Sequence, residues 1–208
     1  LGQGTTCYLF DATISDTAAD VAAQLDALEP LVTAGVLTAI TLTDGGTPDL
    51  TVALAQLTTD ADVLGLMAGQ FNYVISDGSA AIAADLGAGA GSHILALNQA
   101  ATLHTISVTG GTLSVSAATL QATGVDDGPL AALTLLALAT PLAATTVAVA
   151  DFTPLATLQV VPTSFQVADT GTAISADLEG GSSALLAHRS QIGGIVPDGA
   201  IPLDDATA

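Results

Sequence analysis

The residues able to do chemistry in this chain are almost all carboxylates. Twenty acidic residues face a single basic one, Arg189, and eighteen of the twenty are Asp. Asp44, Asp49, Asp126 and Asp127 lie beside glycines or a proline, in stretches that read as loops. They are the candidate ligands for calcium, a hard cation that takes carboxylate oxygens. Asp16, Asp77 and Asp169 each follow an apolar segment and precede small residues. A helix starting there needs an acceptor for its free N–H groups, so these three read as N-caps. Calcium ligation is the alternative.

Other chemistries lack their required parts. His93, His104 and His188 are scattered without metal-ligand spacing, and His104 falls at a strand position that reads as surface. There is no Gly-x-Ser-x-Gly elbow and no phosphate loop with Lys. Gly87-Ala88-Gly89-Ala90-Gly91 follows a helix rather than a strand, which is the wrong context for a dinucleotide loop. It reads as a flexible or close-packed connection. Asp126-Asp127 and Asp204-Asp205 are carboxylate pairs, but no Trp and only two Tyr are present to line a sugar cleft. Cys7 cannot form an internal disulfide and has no His near it in sequence; it reads as a buried or incidental thiol, with intermolecular pairing open. The expectation is a chain that is not an enzyme and has no cofactor other than calcium.

The net charge of −19 argues against nucleic acid or an anionic membrane surface as a partner, since both call for Lys and Arg. Such a charge calls for screening by salt or divalent cations. With no lysine and one arginine, trypsin-like proteases have one site at most. Half of the residues are hydrophobic yet 3% are aromatic, so the core must be built from Ala, Val, Leu and Ile. Mean hydropathy is high, at +0.65. Even so, the longest apolar run, Pro129 to Val149, is interrupted by Thr134, Thr140, Pro141, Thr145 and Thr146. It reads as a helix over Leu130–Leu138 and a strand over Thr145–Val149, not as a membrane span.

Internal similarity organises these residues. From Asp16, Asp77 and Asp169 alike, an apolar residue follows at the fifth place and Leu at the ninth: Val21 and Leu25, Ile82 and Leu86, Ile174 and Leu178. Phe10, Phe71 with Tyr73, and Phe165 stand in the preceding strands. Downstream, Leu37–Thr47 corresponds to Leu103–Thr112, with Ile192–Gly199 a looser version. Leu50-Thr51-Val52 matches Leu113-Ser114-Val115 and Ile201-Pro202-Leu203. The anchors are spaced by 61 and then 92 residues, with extra sequence over Leu130–Pro162 and a partial copy from Val149-Ala150-Asp151. The units are residues 1–70, 71–162 and 163–208, the last stopping in mid-repeat at Ala208. From that stop, and from the absence of an initiator Met or a basic leader, the expectation is a processed chain or a fragment of a longer one.

Within a unit, Val21, Leu25 and Leu28 form one helical face. A second helix is expected over Ala53–Ala68, with Leu57, Ala61, Leu64 and Ala68 on one face, then a strand over Phe71–Ser76. The pairs Gly45-Gly46 and Gly110-Gly111 mark turns that need positive φ. Each unit thus reads strand, short strand, helix, strand, helix. One unit cannot cover both faces of its strands, and stacking on neighbours does. The expected fold is α/β: a repeat array or solenoid of short parallel strands with covering helices. An all-β helix or sandwich is the alternative, suggested by abundant Thr, Val and Gly.

Three stretches carry a resemblance: Ser15–Ala22 with Leu25 and Leu28, Ile40–Asp44, and Ala55-Gln56-Leu57 with Asp60-Ala61 and Leu64. They resemble repeats of very long bacterial surface proteins exported by type I secretion, described as adhesins, hemolysin-type or calcium-binding proteins. The resemblance covers residues 8–115 well and the rest weakly. It implies an extracellular, structural or adhesive role. The Gly-Gly-x-Gly-x-Asp nonapeptide of calcium-binding toxins is missing, so that kind of site is not carried over. The leading reading is a structural repeat segment of a secreted bacterial cell-surface protein. Its partners would be copies of itself or neighbouring repeats of the same chain, assembled as a filament, S-layer or extracellular matrix in a biofilm. The alternative is an adhesin module that binds a host or surface ligand.

Overall fold

The structure is a computed structural model and describes residues 11–121, 142–152 and 163–202. Its recurring element is a strand, a helical crossover and a second strand lying parallel beside the first. The first copy is β1 (Ala12–Asp16), α1 (Ala18–Thr33) and β2 (Leu37–Leu42). The second is β5 (Asn72–Asp77), α4 (Ser79–Gly87), α5 (His93–Gln99) and β6 (Leu103–Val108). The third is β9 (Ser164–Thr170), α7 (Gly171–Glu179), α8 (Ala184–Ala187) and β10 (Ile192–Asp198). Between the first two run β3 (Asp49–Val52), α2 (Gln56–Thr59), α3 (Ala61–Gly65) and β4 (Met67–Ala68). Before the third come β7 (Leu113–Ser116), α6 (Ala117–Gln121) and β8 (Leu142–Val147). The expected α/β class stands.

The strands form three sheets, ordered β1-β2-β4, β3-β5-β6 and β10-β9-β8-β7. Every strand pair among the described residues is parallel. The chain does not finish one sheet before starting the next. It leaves β2 through the Gly45-Gly46 turn and enters β3, which pairs with β5 in another sheet, Leu50 opposite Tyr73 and Val52 opposite Ile75. It then returns to place β4 beside β2, Ile40 opposite Met67. Sheet and sequence unit therefore interleave across residues 70 and 71.

The core is the small aliphatic set the composition demands. Val21, Leu25 and Leu28 are buried as one face of α1, and Ile82, Leu86 and Ile174 repeat that face in the other crossovers. Ile40, Leu50, Ile75, Ile106, Leu113 and Val167 fill it from the strands. Phe152 and Phe165 add an aromatic contact, ring centroids 5.3 Å apart.

Several expectations change. The helix expected over Ala53–Ala68 is split into α2 and α3 at the buried Asp60, and Ala68 belongs to β4. The strand expected over Thr145–Val149 ends at Val147, and Val149–Asp151 is a 3-10 turn. Gly46, Gly110 and Gly111 have the positive φ expected of their turns, whereas Gly45 does not. Phe10, Cys7, the helix expected over Leu130–Leu138, Asp126, Asp127, Asp204 and Asp205 lie outside the described residues.

Candidate functional site

The three anchor aspartates do not cap their helices. Thr17, Gly78 and Thr170 occupy the N-cap position, where the Thr17 and Thr170 hydroxyls accept from Asp20 N and Ala173 N. Each anchor carboxylate instead takes the N–H of the next residue, at 2.8 Å for Asp16, 2.7 Å for Asp77 and 2.7 Å for Asp169. In two of the three the second oxygen reaches to the neighbouring strand. Asp77 Oδ2 accepts Leu54 N at 3.0 Å, just beyond β3, and Asp169 Oδ2 accepts Val149 N at 3.0 Å, just beyond β8. Asp77 and Asp169 are thus clamps between adjacent parallel strands. Ala18 N at the start of α1 is served by Asp44 Oδ2 at 2.6 Å.

A second carboxylate recurs eight residues after the anchors, at Asp85 and Asp177. Asp85 accepts the Ser92 hydroxyl at 2.6 Å and the N–H groups of His93 and Ile94, both at 3.0 Å. Asp177 accepts the Ser183 hydroxyl at 2.5 Å and the N–H groups of Ala184 and Leu185 at 2.9 and 3.1 Å. Burial alone would push these carboxyls up. The hydrogen bonds from Ser92, Ile94 and His93, and from Ser183, Ala184 and Leu185, outweigh it and hold both below the usual carboxylate range. The first copy has Gln24 at this place, and there α1 runs unbroken to Thr33.

Only at Asp85 does a histidine join. His93 Nδ1 lies 3.1 Å from Asp85 Oδ1, and His93 Nε2 lies 3.3 Å from the Thr58 hydroxyl of α2. With the ionised Asp85 accepting from Nδ1–H, Nε2 is left to accept from Thr58. This line borders a cleft of about 340 Å3 formed by Leu57, Ala61, Leu64, Gly65, Tyr73, His93, Ala96 and Leu97. Burial pushes the Tyr73 phenol up, keeping it a neutral donor. Chemically, the cleft can hold an apolar group, with Tyr73 and His93 for polar contacts. The same carboxylate–serine cap is built at Asp177 without a histidine, so the cap is explained by the fold alone.

The calcium candidates are placed apart. Asp44 serves α1, as above. Asp49 accepts from His104 Nδ1 at 2.8 and 2.9 Å on the surface of the β3-β5-β6 sheet. Among the described residues, no three His, Cys, Asp or Glu groups come together in a way that could hold a metal ion. His188 stacks on Phe152, ring centroids 5.1 Å apart, and has an aromatic packing role that its isolation in sequence did not signal.

Sequence reasoning also missed Asp60. It is 2% exposed, and its Oδ2 has no hydrogen-bond partner among the described residues. Burial, then the adjacent Asp26 carboxylate and the charge of Glu29, push its carboxyl up, against a smaller opposing effect of Thr59. An Asp inside an expected helix was the available signal. No known protein family, curated protein or solved structure matches the chain. Among the described residues, no helix is long and apolar enough to cross a membrane.

Proposed function

We propose that this chain is a structural repeat segment of a secreted bacterial cell-surface protein, a repeat array that self-assembles into a filament, S-layer or extracellular matrix. One observation carries the reading: a strand from one unit completes the sheet of the next. β3 leaves the first crossover unit, pairs with β5 of the second and is locked there by Asp77 on Leu54 N. In the third sheet β8 flanks β9 and is locked by Asp169 on Val149 N, with β7, the strand that follows β6, on its other side. Units that lend strands to their neighbours are complete only in a series, which is the logic of a solenoid. The resemblance of residues 8–115 to secreted repeats points the same way.

Calcium enters this reading by screening the −19 charge, since the carboxylates of Asp44 and Asp49 are already bonded to Ala18 and His104. The test is particle size by light scattering across chain concentration, with calcium and with chelator. Growth into large particles is the expected result, and a monomer under every condition defeats the reading. The second reading, an adhesin module, is favoured by the cleft beside Tyr73 and His93. It predicts a monomer that binds a small apolar or aromatic group there.

A further inference from the structure

We infer that Asp85, His93 and Thr58 form an acyl-transfer triad beside the apolar cleft, cleaving small uncharged esters through an acyl group carried on Thr58 Oγ1. The three residues come from three elements: Asp85 from α4, His93 from the start of α5 and Thr58 from α2. Thr58 and His93 are 35 residues apart in sequence, so no local motif announces them. Asp85 Oδ1 lies 3.1 Å from His93 Nδ1, and His93 Nε2 lies 3.3 Å from Thr58 Oγ1. The order is acid, imidazole, hydroxyl, each within reach of the next. The second distance is long for a finished hydrogen bond, as such contacts commonly are before a substrate tightens them.

The fold does not need this imidazole. The third unit builds the same cap from Asp177, Ser183 and the N–H groups of Ala184 and Leu185, with Ala184 in the place of His93. The backbone N–H of His93 serves the cap as any residue's would. What His93 adds is a ring held between a carboxylate and a hydroxyl. The side chain of Asp85 is 8% exposed and that of His93 47%, so the acid is enclosed while the base is open to a substrate. Asp85 is a positioning residue. Burial raises its carboxyl, but the hydrogen bonds from Ser92, Ile94 and His93 outweigh that and keep it ionised. The ionised form fixes the proton of His93 on Nδ1, and Nε2 then carries the lone pair that takes a proton from Thr58.

The cleft supplies the rest. Leu57, Ala61, Leu64, Ala96 and Leu97 wall a space of about 340 Å3 beside His93, with the size and polarity for a short acyl chain. Tyr73, which also lines it, is a neutral phenol and the donor available to a developing oxyanion. In the first half of the reaction Thr58 Oγ1 bonds to the ester carbonyl carbon while its proton passes to His93 Nε2. The bond to the alcohol oxygen breaks, and that oxygen takes the proton from Nε2. In the second half a water attacks the acyl carbon and gives a proton to Nε2. The bond to Thr58 Oγ1 breaks, and the proton returns to that oxygen. Ester and water have become acid and alcohol. With 20 acidic residues against one basic, an uncharged ester is favoured over an anionic one.

The test uses the full chain with p-nitrophenyl butyrate as probe. Hydrolysis should begin with a burst, and mass spectrometry of a sample quenched in the burst should place a butyryl group on Thr58. Thr58→Ala and His93→Gln should each lower kcat/KM at least roughly a hundredfold, the scale of a lost general base. Both residues are exposed, and circular dichroism should show both variants folded. Thr58→Ser, which keeps the hydroxyl, should restore the burst. Asp85→Asn should lower kcat with KM held, in a sample that circular dichroism shows folded. A butyryl group on His93 or on no residue, or a Thr58→Ala variant as fast as the full chain, overturns the triad. A full chain no faster than His93→Gln overturns it equally.

Discussion

Carboxylates in this chain work by accepting backbone N–H groups, and their titration follows from that. Asp177 has a folded value below the ordinary one, so its stabilisation is present above the usual carboxylate range and is lost as pH falls through the lowered value. Asp177→Ala should cost about 1–2 kcal/mol at neutral pH, as loss of a helix cap does. Urea unfolding should show the difference shrinking in acid. Asp60 has the opposite sign. Its raised value means that the favourable protonated form is kept below the usual range and lost as pH rises. Asp60→Asn should therefore stabilise the chain at pH 7 by roughly 2–4 °C in Tm, the scale of one kcal/mol in a domain of this size, with the gain fading at acid pH. Asp77→Ala removes the acceptor of the part-buried Leu54 N–H and should destabilise by about 1–3 kcal/mol, the cost of an orphaned buried donor. The sequence pattern made Asp16, Asp77 and Asp169 conspicuous but not their partners, because Leu54 and Val149 lie more than twenty residues upstream or at that separation from the anchors. Distance along the chain hides a contact that the adjacent strand creates.

At the scale of elements, the helix faces were legible because burial follows the 3.6-residue period directly, as at Val21, Leu25 and Leu28. The break between α2 and α3 was not, since Leu57, Ala61 and Leu64 keep helical spacing across it. The strand expected over Phe71–Ser76 lies within one residue of β5, whereas β4 was hidden inside an expected helix, and no periodicity shows which sheet a strand joins. β3 follows β2 in sequence and pairs with β5 because parallel neighbours need a crossover between them. Close approach of elements also sets a residue. A Cβ on Gly171 would run into the Ala200 carbonyl, the point where the chain leaving β10 crosses the start of α7. Gly171→Ala should lower Tm by several degrees, with a cost of about 1–3 kcal/mol as in other overpacked sites. Gly45→Ala, at an open position without positive φ, is the matched control and should leave Tm nearly unchanged.

For the whole molecule, one sign of charge dominates and screening should be visible. Raising salt should raise Tm, because the −19 charge repels itself in the compact state. A Tm that is flat in salt would show that repulsion among the carboxylates does not limit stability. The interleaved sheets have another consequence, through the single arginine. Arg189 is exposed between α8 and β10, its guanidinium resting on Leu186 O. One tryptic cut there separates the chain into two pieces, the smaller of which carries β10. That piece remains annealed to β9 through its parallel ladder, Ile192 opposite Phe165 and Val196 opposite Ala168. Arg189 is thus a natural split point: the two halves should travel together under native conditions and part only when the third sheet melts.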